Sequence, residues 1–144
     1  MTPSSEILLV EDNPQDAELT LLALRKESLG DHITVVKNGV EAIEYLTGNT
    51  DNRATRLSRL KLVFLDLKLP KLNGFEVLEK IKTDKSLSTI PIVVLTSSAV
   101  DSDIEKAYRL GANSYIVKPI EFTAHRRAVI EAAHYWLKVN NTLN

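Results

Sequence analysis

Cysteine is absent from the 144 residues. That excludes disulfides, thiolate metal sites and a cysteine nucleophile, and it fits a reducing compartment. A surplus of either charge is missing too. With 18 basic and 19 acidic side chains the formal charge is -1, so no bulk attraction draws the chain to nucleic acid or anionic lipid. No apolar run approaches the roughly 18 residues of a membrane span, and the start, MTPSSE, lacks the basic-then-apolar order of a secretion signal. A soluble cytoplasmic protein is therefore expected. The length fits one globular domain, residues 1–144 with a core over about 6–138, and leaves no room for a separate DNA-binding or catalytic output domain.

What is present is a repeated unit, a short apolar run ending in a polar side chain. The central one is Leu62–Pro70, LVFLDLKLP, in which four apolar residues without polar alternation describe a strand buried on both faces. A carboxylate inside such a core would cost several kcal/mol. Asp66 is therefore expected where the strand emerges at the carboxyl edge of a sheet, which is where open α/β sheets bind ligands. Ile7–Val10 repeats the pattern and ends in Glu11-Asp12. Asn13-Pro14 then supplies an N-cap and a proline at the first helical position, with Ala17, Leu21 and Leu24 at helical spacing.

Ile33–Val36 is a third run, followed by a helix capped by Asn38 with apolar positions Val40, Ile43 and Leu46. Gly48 stops it, and Asn49–Lys61 reads as a polar loop with Arg53, Arg56, Arg59 and Lys61. Such a loop is either a solvated insertion or a docking surface for an acidic partner. Asn73-Gly74 turns into a helix with Val77, Leu78 and Ile81 inward. Ile92–Leu95 ends in Thr96-Ser97-Ser98. A helix over Asp101–Leu110, with Ile104, Ala107 and Tyr108 inward, leads to Ser114–Val117 and Lys118-Pro119. A long final helix over Glu121–Val139 carries Phe122, Val129, Ala133, Trp136 and Leu137 as an apolar stripe.

Five βα units imply a parallel sheet with helices on both faces, most simply in the flavodoxin-type order 2-1-3-4-5. In that order the carboxyl ends of neighbouring strands gather Glu11, Asp12, Asp66, Thr96 and Lys118. Three converging carboxylates need a compensating cation. Oxygen ligands without histidine or cysteine suit Mg2+, with Asp12 and Asp66 as ligands. Metal, ammonium and hydroxyl aimed at one point describe a clamp for a phosphoryl group in transfer, and the available nucleophile is the Asp66 carboxylate.

With these residues in place, LVEDNP over 9–14, LDLKLP over 65–70, Asn73-Gly74, Leu95-Thr96-Ser97 and YIVKP over 115–119, the chain resembles the response-regulator receiver domains, the CheY-like family of two-component signalling. The resemblance implies a phosphoacceptor at Asp66 and an acidic pocket of Glu11 and Asp12. It also implies Mg2+ held in part by the Lys68 backbone carbonyl, Lys118 on the phosphoryl oxygen, and a cis bond before Pro119. Thr96 and Tyr115 would form a switch acting on the surface of the Asp101–Leu110 helix, the last strand and the last helix. The long loop, Val35–Gly39 and Tyr135-Trp136-Leu137 resemble more narrowly the stand-alone regulators paired with bacterial phytochromes. A sensor histidine kinase, a bacteriophytochrome within that subgroup, is then the implied partner.

Rival chemistries are poorer fits. A flavin- or nucleotide-binding protein needs a glycine- or hydroxyl-rich phosphate loop after the first strand, where this chain has Glu11-Asp12-Asn13. A haloacid-dehalogenase-type phosphatase needs a second acid where Lys68 stands. A receiver-like binding module that is never phosphorylated would not need acceptor, acid pair, threonine and lysine together. The chain is thus read as a phosphoacceptor supporting its own phosphorylation and dephosphorylation, and not as an enzyme. Tyr135, Trp136 and Leu137 cannot all point inward, so one large group is expected to be exposed, and a homodimer through the final helix follows. His32, His125 and His134 are read as surface residues without a metal role.

Overall fold

A computed structural model of the chain describes residues 5–48 and 53–141. Its elements run β1 (Glu6–Val10), α1 (Pro14–Lys26), β2 (His32–Val36), α2 (Gly39–Thr47), α3 (Arg53–Arg59), β3 (Leu60–Leu65), α4 (Gly74–Thr83), β4 (Ile92–Thr96), α5 (Asp101–Arg109), β5 (Ser114–Val117) and α6 (Phe122–His134). A π-helical turn over Tyr135–Val139 extends α6. The five strands are all parallel, in the order β2-β1-β3-β4-β5, which is the flavodoxin-like, CheY-like arrangement expected.

The apolar runs work by alternation. Successive side chains of a strand point to opposite faces. Leu8, Val10, Val63, Leu65, Ile92 and Val94 therefore pack on one side with Ala42, Leu46, Val77, Leu78, Ile81 and Ala107. Ile7, Leu9, Leu62, Phe64, Val93 and Leu95 pack on the other with Ala23, Leu24, Val129 and Ala133. Each full burial of such a side chain contributes on the order of 1.5–3 kcal/mol. Two cores sharing one sheet fix the strand register and hence which residues stand at its edge.

Local signals set the helix starts. Asn13 accepts from the amides of Gln15 and Asp16 ahead of α1, with Pro14 at the first position. Asn38 caps α2, and Asn73 with Glu76 forms a reciprocal capping box at α4. Gly74 is needed for close approach: a Cβ there would overlap the Asp66 carbonyl and the Leu67 backbone. The start of α4 thus lies directly against the end of β3.

Several expectations are corrected. The stretch expected as polar loop contains helix α3 from Arg53 to Arg59, and only residues 49–52 of it fall outside the described residues. The arginines are used in packing. Arg53 Nε donates to the Leu46 carbonyl, and Arg56 donates to the Tyr45 carbonyl while lying 4.7 Å over the Tyr45 ring. They satisfy the open carbonyls at the end of α2, which ties into the fold two of the cations that a docking surface for an acidic partner would use. Tyr108 and Phe122, expected inward, are 49% and 59% exposed, and Val40 gives its inward place to Ala42. The apolar stripes are narrower than the spacing suggested because each helix covers only a short sheet.

Candidate functional site

Backbone geometry draws the strand ends together before any side chain acts. The Asp66 amide donates to the Val10 carbonyl at 3.1 Å, and the Glu11 amide to the Val36 carbonyl at 3.0 Å. The Lys118 amide donates to the Thr96 carbonyl at 2.7 Å. The pairing of β2, β1, β3, β4 and β5 therefore continues one residue past the strands and sets Glu11, Asp66, Thr96 and Lys118 on one edge.

Asp66 is buried, with its side chain 8% exposed. Its Oδ1 accepts from Thr96 Oγ1 at 2.8 Å and from the Lys68 amide at 3.2 Å. Its Oδ2 lies 3.1 Å from Lys118 Nζ. Both oxygens are thus held, and the carboxylate has a fixed orientation. The Lys118 ammonium also meets Glu11 Oε1 at 2.6 Å and Asp16 Oδ2 at 2.9 Å. Carboxylate oxygens of Glu11, Asp12 and Asp66 lie within 4.8 Å of one another, the first and last buried and Asp12 exposed.

The electrostatics separate two acids that look alike in sequence. Burial pushes Glu11 up to about 8, against the opposing pull of Lys118. Burial also acts to raise Asp66, but the hydrogen bond from Glu11 and the charge of Lys118, with Thr96, outweigh it and hold Asp66 below the ordinary carboxylate value. The two shifts run in opposite directions, so Glu11 holds a proton more tightly than an ordinary carboxyl and Asp66 less tightly. Burial alone would lower Lys118, yet Asp16, Glu11 and Asp66 raise it above the ordinary lysine value. The residues fit a divalent cation on chemical grounds. Three carboxyl groups offering oxygens around one point form a hard-ligand set whose charge a single ammonium does not cancel.

Beyond β4, Ser98 is buried and its Oγ donates to Asp103 Oδ2 at 2.6 Å. The Tyr115 hydroxyl donates to the Ser98 carbonyl at 2.9 Å, and its ring is half-buried, 6.4 Å from that of Tyr108. The Thr96-to-Ser98 segment therefore touches Asp66 at one end and Tyr115 at the other. Of the adjacent trio near the chain end, Tyr135 is the exposed group at 47%, while Trp136 and Leu137 are half-buried against the second core.

Two expectations about this region are revised. Every described peptide bond is trans, including that between Lys118 and Pro119; the small preference separating the isomers before proline allows either, and Lys118 reaches Asp66 from the trans form. His125 is buried at 2% exposure and its Nε2 lies 3.3 Å from Thr20 Oγ1, so it belongs to the contact between α1 and α6 and not to the surface. Asp16 was not singled out from sequence. It sits in the first turn of α1, and no local pattern links it to Lys118.

Comparison with known proteins agrees with the architecture. The family described as response regulator receiver domain matches residues 7–130. The chain is 40% identical over 136 residues to the probable methanogenesis regulatory protein FilR2 of Methanothrix harundinacea (strain 6Ac), covering 94% of this chain and 86% of that protein. Among solved structures it is similar to the phosphorylated cyanobacterial phytochrome response regulator RcpA, at 36% identity and TM-score 0.89, covering 98% of this chain and 99% of that one. It is also similar to the Mn2+-bound form of response regulator Rcp1, at 32% identity and TM-score 0.86, covering 97% and 99%. Rcp1 comes from Synechocystis sp. (strain ATCC 27184 / PCC 6803 / Kazusa).

Proposed function

Because this chain belongs to the receiver-domain family of two-component response regulators, we propose that it accepts a phosphoryl group on Asp66 from a sensor histidine kinase, with Mg2+ in the acidic pocket. It passes the signal on by protein contact or phosphorelay. The observation that carries this reading is the convergence on Asp66 of Thr96 at 2.8 Å and Lys118 at 3.1 Å, beside the Glu11-Asp12 pair.

In the transfer, an Asp66 oxygen forms a bond to phosphorus as the phosphorus–nitrogen bond of the donor phosphohistidine breaks, and the electron pair of that bond stays on the imidazole. Asp66 enters this step ionised, its carboxyl held below the ordinary value against burial by its hydrogen-bond partners and the Lys118 charge. Lys118 and Thr96 then offer an ammonium and a hydroxyl to the phosphoryl oxygens, where charge develops and then remains. Glu11, Asp12, Asp66 and the Lys68 carbonyl would hold Mg2+, which when bound supplies charge neutralisation to the transferring group. The chain is not an enzyme acting on a separate substrate; it supports its own phosphorylation and its own return to the free acid.

The new dianion competes for Thr96, and moving that hydroxyl shifts the segment that ends at Ser98, the acceptor of the Tyr115 hydroxyl. Thr96 and Tyr115 thereby repack the surface of α5, β5 and α6. The similarity to the phytochrome response regulator RcpA supports a phytochrome-type kinase, a bacteriophytochrome, as partner. The exposed Tyr135 beside Trp136 and Leu137 supports a homodimer through α6 and its π-helical turn; a monodisperse monomer by light scattering in both phosphorylation states would remove it. No described helix is long and apolar enough to cross a membrane. We place the protein in the cytoplasm, without direct nucleic-acid binding.

The test is incubation with acetyl phosphate and Mg2+, followed by intact mass. Wild type gains one phosphoryl group and Asp66→Asn gains none. Equal incorporation in both overturns the assignment.

A further inference from the structure

Lys118 carries one more acid than the acceptor pocket requires. An ammonium has three donors, and here they face Glu11 at 2.6 Å, Asp16 at 2.9 Å and Asp66 at 3.1 Å. Glu11 and Asp66 also belong to the trio whose oxygens cluster, while Asp16 lies outside that trio. Asp16 is therefore the one carboxylate that holds the ammonium without a share in the metal pocket.

Its place is built into the helix. The Asp16 amide donates to Asn13 Oδ1 at 3.1 Å, Pro14 occupies the first helical position, and the acid sits in the first turn. The Lys118 side chain is 8% exposed and that of Asp16 29%, so the pair stands at the rim of the site, partly screened by water. Glu11, at 1% exposure, fixes the ammonium from the inside. Orientation of Lys118 thus persists without Asp16, and what Asp16 adds is a competing charge.

We infer that Asp16 is a positioning residue that holds back Lys118 in the unmodified protein and gives up part of that ammonium when a phosphoryl group arrives on Asp66. This rests on the reading of Asp66 as the acceptor. Before transfer the ammonium divides itself among three acids. After transfer, with the new O–P bond formed and the donor's leaving group gone with its electron pair, the phosphoryl oxygens compete with Asp16 for it. Removing the Asp16 charge leaves Lys118 freer for the phosphoryl group and favours both formation and persistence of the modified state.

The experiment compares wild type with Asp16→Asn, Asp16→Ala, Asp16→Glu and the control Glu18→Gln, which removes an acid from an exposed position of the same helix. Labelling by acetyl phosphate with Mg2+ below saturation is followed by intact mass. In metal-free protein, the nitrogen-15 ammonium signal of Lys118, assigned by its loss in Lys118→Arg, reports water exchange. For a partly exposed ion pair the expected gain is about threefold in labelling rate for Asp16→Asn and Asp16→Ala, with faster ammonium exchange in both. Asp16→Glu restores the wild-type rate and Glu18→Gln leaves it unchanged. Asp16→Asn labelling at or below the wild-type rate overturns the inference while Asp66 stands as acceptor. So does an equal gain in Glu18→Gln, which makes the effect one of general charge, or an unchanged Lys118 signal. No label on wild type overturns the acceptor reading and this inference together.

Discussion

The two edges of the sheet use buried charge in opposite ways. At the carboxyl edge, Glu11, Asp16 and Asp66 share the ammonium of Lys118 and Asp12 lies beside Glu11 and Asp66, so negative charge is in excess and the site suits a cation. At the amino edge, Glu6 on β1 accepts from the Tyr45 hydroxyl at 3.2 Å, and Arg56 stacks on that ring while bonding a backbone carbonyl. There the cation and the acid each meet a neighbouring group, and of the described side chains Arg56 leaves one buried nitrogen, Nε, without a hydrogen-bond partner. Charge imbalance, and not burial as such, separates the functional edge from the structural one.

The sharpest way to break this contrast is to remove the cation that the buried acids of the carboxyl edge share. Lys118→Met strands the buried acids, and urea unfolding in metal-free buffer is expected to show a loss of about 3 kcal/mol. Mg2+ should return part of it. A loss under about 1 kcal/mol, the worth of an exposed pair, would mean that the acids are solvated and the imbalance is only apparent.

A second effect is on metal binding. Glu11 is raised by burial from 4.5 to about 8, so its proton must leave before the oxygen can serve as a ligand. Mg2+ affinity, measured by titration calorimetry, should climb by up to about tenfold per pH unit below that value and level off above it. The sign for metal-free stability is opposite: a group bound more tightly to its proton when folded adds stability that is complete below 4.5 and is lost as pH rises through about 8. Affinity that is flat between pH 6 and 8 would place the proton elsewhere.

Substitution at the amino edge is expected to be milder and functionally silent. Arg56→Ala loses a cation–π contact and the bond to the Tyr45 carbonyl, worth about 1–2 kcal/mol together. Labelling by acetyl phosphate should be unchanged. A changed labelling rate would couple two edges that are separate here.

The smallest effect expected is at His125. Burial lowers it from 6.5, so the folded state prefers the neutral ring. Its contribution is complete above 6.5 and declines as pH falls through the lowered value. His125→Asn should flatten that acid-side decline in thermal unfolding by less than about 1 kcal/mol; an unaltered slope would assign the decline to other groups.

How well the sequence announced each region follows the same contrast. Strand order and the gathering of Glu11, Asp66, Thr96 and Lys118 were readable because each apolar run ends in one conspicuous polar residue, and a parallel sheet sends those ends to a common edge. Helix α3 was missed because it lacks apolar periodicity and its arginines spend themselves on the carbonyls of α2. His125 was misread for a related reason: its partner Thr20 lies on another helix, and no local pattern reveals that contact. Asp16 was not singled out, because an acid in a first helical turn is already accounted for by the helix dipole. Only the fold brings it to Lys118. Self-consistent local signals are legible, and contacts between distant segments are not.

The account stands most directly on where the phosphoryl group is carried. After labelling with acetyl phosphate and Mg2+, reduction by borohydride converts an acyl phosphate to an alcohol, and peptide mass spectrometry locates it. The expected result is one reduced position, Asp66. Reduction at Asp12 or Asp16, or at no acid in a protein that has gained the phosphoryl mass, would contradict it.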